Sequence, residues 1–196
     1  VIKRLFDILF SLLGILILLP FFILISLAIL LDSPGGIFFR QTRVGRNGKD
    51  FLLWKFRSMR ADAEKKGLLT VGARDSRVTR TGYFLRKYKL DELPQLFNVL
   101  SGDMSLVGPR PEVRKYVDLY TEEQKKVLQV RPGITDYASI EYVNENEVLA
   151  RSADPEAAYI NEIMPHKLSL NMRYIHEQGL FTDLRIIGKT LKKIIS

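Results

Sequence analysis

From Ile8 to Leu31 the chain runs for 24 residues without a charge, and this run sets what the rest can be. As a straight helix at about 1.5 Å per residue it would be roughly 36 Å long, enough to cross a hydrocarbon core of about 30 Å. It exceeds the h-region of about 7–15 residues in a cleaved leader, and no small-x-small cleavage site follows it. The expectation is a membrane element retained in the mature protein. Pro20 lies near its middle, where a missing N–H and a crowded preceding turn predict a kink. Lys3 and Arg4 precede the run, and Arg40, Arg43, Arg46 and Lys49 follow it. The positive-inside tendency would keep both flanks cytoplasmic, as in a helix that dips into the membrane and returns. A plain spanning anchor fits these residues as well.

Asp32-Ser33-Pro34-Gly35-Gly36 is a break that divides the chain into a membrane element, residues 1–34, and a body, residues 35–196. The body reads as α/β, mostly helical. Ile37–Val44 and Lys49–Phe56 predict a β-hairpin, with Asn47-Gly48 suited to a tight primed turn. On its second arm Lys55 and Arg57 share one face, solvated or placed to grip phosphate. A short polar helix is expected over 59–67 and a strongly basic one over Thr79–Leu90. Another starts at Pro94 and ends near Ser101-Gly102. Apolar spacing predicts a helix over Glu112–Val130, and a further one over Ile160–Glu177 broken at Pro165. From Leu184 the tail is an amphipathic helix with Leu184, Ile187, Leu191, Ile194 and Ile195 on one stripe, able to lie at a membrane interface or dock on the core. The formal net charge of +8 points to an anionic partner: phospholipid headgroups, phosphorylated substrates or nucleic acid. The absence of cysteine excludes disulfides and thiolate metal sites.

Two constellations carry chemistry. Asp91-Glu92 stands just before Pro94 and just after the basic helix. Either acid could simply cap the next helix. The neighbouring cations would also hold both carboxylates ionised, ready to bind metal or attack phosphorus. In Gly108-Pro109-Arg110-Pro111 two prolines fix the backbone around one arginine, presenting a guanidinium fork to phosphate or to a carboxylate.

The run Asp91-Glu92-Leu93-Pro94-Gln95-Leu96-Phe97-Asn98-Val99-Leu100, followed by Gly102-Asp103-Met104-Ser105-Leu106-Val107-Gly108-Pro109-Arg110-Pro111, resembles the core of the small monotopic phosphoglycosyl transferases, the bacterial sugar transferase domain. Lys3-Arg4-Leu5-Phe6-Asp7, Gln41-Thr42-Arg43-Val44-Gly45, Trp54-Lys55-Phe56-Arg57-Ser58-Met59, Arg131-Pro132-Gly133-Ile134-Thr135 and Phe181-Thr182-Asp183-Leu184 agree in type and order. The resemblance implies a re-entrant helix kinked at Pro20. It implies magnesium-dependent transfer of a sugar-1-phosphate from a UDP-sugar to undecaprenyl phosphate, with release of UMP. Asp91 would be the nucleophile that forms a covalent phosphosugar intermediate, and Glu92 its partner. Either acid could assist Mg2+. Arg110 would grip phosphate, and Lys55, Arg86 and Asp183 match further active-site positions. The catalytic body would face the cytoplasm at the bacterial inner membrane, among lipids, with a homo-oligomer left open.

Three features depart from the family's commoner pattern. Leu19 stands where a serine usually precedes the proline. The stretch Asp136-Tyr137-Ala138-Ser139-Ile140-Glu141 and Asn144-Glu145-Asn146-Glu147 replaces a Gly-Trp-Ala-Gln and Asn-Gly-Arg-Asn pattern, and Asn171 replaces an expected acid. These bear on which sugar is used rather than on the reaction type. A glycosyltransferase that moves the sugar without its phosphate is the rival enzyme, and a basic lipid- or nucleic-acid-binding scaffold the non-enzymatic rival. No aromatic-basic RNA motif or zinc-finger spacing supports nucleic acid.

Overall fold

The computed structural model describes residues 2–60, 63 and 75–195. The apolar run lies in one helix, α1 (Ile2–Asp32), which continues through Pro20. Its buried residues Asp7, Ser11, Phe22 and Ile29, with Gly14, Leu18 and Ile25 partly buried between them, form one stripe at heptad spacing. That stripe packs on the body from end to end. The rest of the helix surface stays apolar and open, with Leu16, Leu24 and Leu31 each more than 60% exposed. So large an apolar face marks a surface that something other than water covers.

The seating of α1 is polar at both ends. Near its start Arg4 donates to the carbonyls of Val99 (2.6 Å) and Leu100 (2.9 Å), satisfying the open end of α3 (Gln95–Ser101). Asp7 accepts from Ser105 Oγ and Leu106 N, both at 3.0 Å. At its end Asp32 accepts from Thr81 N at 2.8 Å. The buried Arg57 guanidinium donates to the carbonyls of Ser33 (2.6 Å) and Pro34 (3.0 Å). Gly35, at φ +126°, makes room for that guanidinium: a Cβ there would lie 2.0 Å from Arg57 Nη1.

β1 (Phe38–Val44) and β2 (Asp50–Phe56) pair antiparallel, with Phe39 opposite Lys55 and Arg40 opposite Trp54. Asn47 and Gly48 are both left-handed (φ 57° and 72°). The connection is nonetheless longer than a two-residue turn, closing at Gly45 N–H to Lys49 O (2.8 Å) around a 3-10 turn. The helix expected over 59–67 lies outside the described residues except at Met59, Arg60 and Ala63. α2 (Arg80–Lys87) starts at the Thr79 cap, whose hydroxyl accepts from Gly82 N.

The helix expected over Glu112–Val130 is instead α4 (Arg114–Val117) and a 3-10 segment, Gln124–Gln129. Thr121 and Gln124 exchange backbone-to-side-chain bonds of 2.9 and 3.2 Å, a capping box that restarts the chain there. Val113, Tyr116, Val117 and Tyr120 still enter the core, against Val44, Val127, Leu149 and Tyr159.

Two three-residue strands were not anticipated: β3 (Ser105–Val107) and β4 (Gly133–Thr135), paired in parallel. A Cβ on Gly133 would lie 2.1 Å from Gly108 N, so the two turns meet backbone to backbone. After β4 come α5 (Tyr137–Glu141), α6 (Glu145–Ala150) and α7 (Pro155–Ala158), then a π-turn over Tyr159–Ile163, α8 (Met164–Glu177) and α9 (Leu180–Ile195). Pro165 does not break the helix. It sits in the first turn of α8, where no N–H is required. On α9 the docked side chains are Ile186 and Asp183, whereas Leu184 and Leu191 of the expected stripe remain about half exposed.

Candidate active site

The acidic pair owes its position to one left-handed residue. Lys89 (φ 56°) ends the turn after α2 and throws the chain into a 3-10 turn, Leu90–Glu92. Asp91 is thereby buried to 7% exposure. Neither acid caps the following helix, whose N-cap is Pro94. Within α3, Asn98 accepts from Trp54 N (2.9 Å) and donates to Leu52 O (2.8 Å). Its amide thus imitates a neighbouring strand and holds α3 against the edge of β2. Lys55, next to the clamped Trp54, comes to lie 3.4 Å from Glu92 Oε1.

The second constellation meets the first. Arg110 forks onto Glu92, with Nη1 to Oε2 at 2.9 Å and Nη2 to Oε1 closing the pair. The loop that carries Arg110 is fastened on both sides. Its own N–H donates to Asp136 Oδ2 (3.0 Å), and Arg43 donates to Pro111 O (3.1 Å) and Glu112 Oε1 (3.0 Å). Gly133 N–H reaches Pro109 O at 3.0 Å. Asp136, fully buried, also accepts from Ser139 N at 2.6 Å and so caps α5.

The two acids have opposite electrostatics. Burial pushes the Asp91 carboxyl up, outweighing Lys55, while the Glu92 charge beside it pushes the same way. Burial also works against the Glu92 anion, yet Arg110 and Lys55 together hold it well below the usual carboxylate range. Burial lowers the Lys55 ammonium, with Glu92 opposing. The cations therefore hold the Glu92 carboxyl below its ordinary value, whereas at Asp91 burial outweighs them. Lys55 and Arg110 are committed to Glu92, and Asp91 is left with burial as its dominant influence.

Asp91, Glu92, Lys55, Arg86 and Arg110 all line one cavity of about 810 Å3. Arg43, Arg77 and Lys89 add to its cationic wall, and Phe10, Gly14 and Leu18 of α1 reach it from the apolar side. Such a space suits a substrate with a polyanionic part. Among the described residues no cluster of three or more acids and histidines is poised to hold a metal. Of the two adjacent carboxylates Glu92 is already forked by Arg110; Mg2+ commonly takes one or two carboxylates and completes its shell with phosphate and water.

Two residues lie elsewhere than expected. Arg57 lines the same cavity, but its guanidinium turns to the carbonyls at the end of α1. Asp183, 1% exposed, is bound to Lys3 Nζ (2.5 Å) and accepts from Tyr174 OH (2.8 Å), joining α9 to the start of α1. It is not among the cavity-lining residues. Asp136 was visible in the sequence only as a departure from a pattern. Its partner Arg110 is 26 residues away, and no local signal announces such a bond.

The fold thus seats a long, largely uncovered apolar helix on a body that frames a buried acidic pair with cations. The chain belongs to the bacterial sugar transferase family, which matches residues 1–196. It is 39% identical over its whole length to a UDP-N-acetylgalactosamine-undecaprenyl-phosphate N-acetylgalactosaminephosphotransferase of Aeromonas hydrophila, of which it spans 44%. It is 38% identical, again over its whole length, to the uncharacterized sugar transferase EpsL of Bacillus subtilis (strain 168), spanning 88% of that protein. Over 97% of its length it is 37% identical to a UDP-glucose:undecaprenyl-phosphate glucose-1-phosphate transferase of Escherichia coli (strain K12), of which it spans 39%. The chain thus covers less than half of the Aeromonas hydrophila and Escherichia coli proteins.

Proposed function

We propose that this chain transfers a sugar-1-phosphate from a UDP-sugar to undecaprenyl phosphate, the first membrane step in building a bacterial glycoconjugate. The observation that carries this reading is the placement of Asp91 beside the Arg110–Glu92 fork in a cationic cavity that α1 also lines. The relatives' printed activities point the same way.

In the first displacement an Asp91 carboxylate oxygen attacks the sugar-linked phosphorus. The P–O bond to the nucleotide breaks, and UMP leaves with that bond's electron pair. In the second, an oxygen of undecaprenyl phosphate attacks the same phosphorus. The acyl-phosphate bond breaks and the Asp91 carboxylate returns. Lys55, Arg86 and Arg110 offset the negative charge that would otherwise repel a diphosphate from a carboxylate. Glu92 orients Arg110, and its charge opposes the lowering of the Lys55 ammonium by burial. Magnesium, held by the dyad carboxylates together with the diphosphate, would supply further charge neutralisation.

The seating of α1 supports a monotopic arrangement. Arg4 and Asp7 at one end, and Asp32 at the other, are bound by the same body, which favours an arrangement with both ends on one side of the membrane. That agrees with a helix that enters and leaves from the cytoplasmic face of the inner membrane, kinked at Pro20. On α9 the exposed Phe181, Leu184 and Leu191 are spaced to share one helical face, with Arg185 stacked on Phe181 (5.7 Å). This suits a helix lying in the interface.

The test is the leaving nucleotide. Purified chain in detergent, given undecaprenyl phosphate, Mg2+ and labelled UDP-sugars, is expected to release UMP. Release of UDP would mean transfer of the sugar without its phosphate and would overturn the reading.

A further inference from the structure

Most polar groups on the cavity wall formed by α5 and α8 are paired. Lys167 Nζ binds Glu145 at 2.8 Å, and Tyr142 OH binds His166 Nδ1 at 2.7 Å. Two are not, among the described residues: Asn171 Oδ1 and Ser139 Oγ, both shielded from solvent and without a hydrogen-bond partner. Asn171 is 5% exposed, and an orphaned buried acceptor is costly enough to call for an explanation. Both residues line the cavity that holds the acidic dyad. Asn171 also lines a small recess together with Pro109, Arg110 and Pro111, the loop to which the proposed reaction gives the phosphate. The sugar is bonded directly to that phosphate. On the transfer reaction proposed above, a sugar whose phosphate is held by Arg110 would bring the substituents nearest its anomeric carbon toward this wall.

We propose that Asn171 and Ser139 select a 2-acetamido sugar, a reading that rests on the transfer reaction proposed above. Asn171 Oδ1 accepts the acetamido N–H, and the Ser139 hydroxyl donates to the acetamido carbonyl. Ala138, Ile140 and Leu168 line the same cavity and offer apolar surface to the methyl group. A hydroxyl at the same carbon can meet one of the two orphans and leaves the other unpaired. Asp136 fixes the Ser139 backbone and the Arg110 backbone with its two carboxylate oxygens, so the selecting wall and the phosphate grip are held in one frame.

The experiment compares kcat/KM for two matched donor pairs that differ only at that carbon, UDP-GalNAc against UDP-galactose and UDP-GlcNAc against UDP-glucose. The unsubstituted chain is expected to favour the acetamido member of at least one pair by about 100-fold. Asn171→Leu and Ser139→Ala are each expected to reduce that ratio by about 10-fold. Ser139→Ala removes one oxygen and keeps the backbone bond to Asp136, so it tests the idea even if Asn171→Leu disturbs packing. Equal use of both members, preference for the hydroxyl member, or a ratio unmoved by Ser139→Ala would overturn the selection. Failure to transfer from any of the four donors would remove the transfer reaction and this inference with it. Transfer without C2 discrimination would remove the inference alone.

Discussion

The floor of the cavity and its α5–α8 wall are built on opposite principles. On the floor the charges are already spoken for: Glu92 is forked by Arg110 and approached by Lys55, and the Arg110 loop is tied down by Asp136 and Arg43. On the wall, Asn171 and Ser139 keep buried oxygens without partners. A pre-paired floor costs no reorganisation when a charged group reacts above it, which is the condition for electrostatic catalysis. An unpaired wall pays its cost in advance and recovers it when the right ligand arrives. In the proposed reaction, chemistry belongs to the floor and choice to the wall.

The severest way to break that assignment is to neutralise the floor's one weakly compensated acid. Asp91→Asn preserves shape and removes the nucleophile, so kcat should fall by at least about 10³-fold for every donor alike. A loss confined to some donors would place Asp91 on the side of selection. Arg110→Lys keeps a charge but cannot fork onto Glu92. A loss of about 10²-fold in kcat, again the same for every sugar, is expected in steady-state assays, and a change in donor preference would blur the division.

The finest test is a pH profile. Burial raises the Asp91 carboxyl above its ordinary value of 3.8, and its reactive form is the anion. The acid limb of kcat/KM should therefore climb with pH through an apparent value above that of an ordinary aspartate. Glu92→Gln removes the neighbouring negative charge that adds to the upward shift and releases Lys55 and Arg110 toward Asp91. The residual activity of that variant should show its acid limb at lower pH. A limb that moved upward would contradict the split between the two acids.

What could be read from the sequence follows the distance over which each feature acts. The apolar run, the hairpin, the Thr79 cap and the stop at Gly102 are local, and each formed close to where its residues place it. The dyad and the arginine loop were legible as motifs, but the fork between them was not, because Glu92 and Arg110 are separated by a helix and a strand. β3 and β4, three residues each, are too short to show alternation, and their pairing depends on two glycines meeting. Arg57 shows how a correct face can carry a wrong role. Strand alternation put it beside Lys55, yet the carbonyls that end α1 claim its guanidinium. Asp183 shows the longest reach of all, since its partner Lys3 lies 180 residues away. The capping box at Thr121 and Gln124 was readable and outweighs the helical apolar spacing around it.

The decisive measurement is the mass of the intact enzyme quenched after mixing with UDP-sugar and Mg2+ in the absence of lipid acceptor. The account predicts one phosphosugar added, mapped by proteolysis to Asp91, with an equivalent of UMP released and the adduct discharged when undecaprenyl phosphate is supplied. An enzyme that completes the full reaction while never carrying that mass on Asp91 would contradict it.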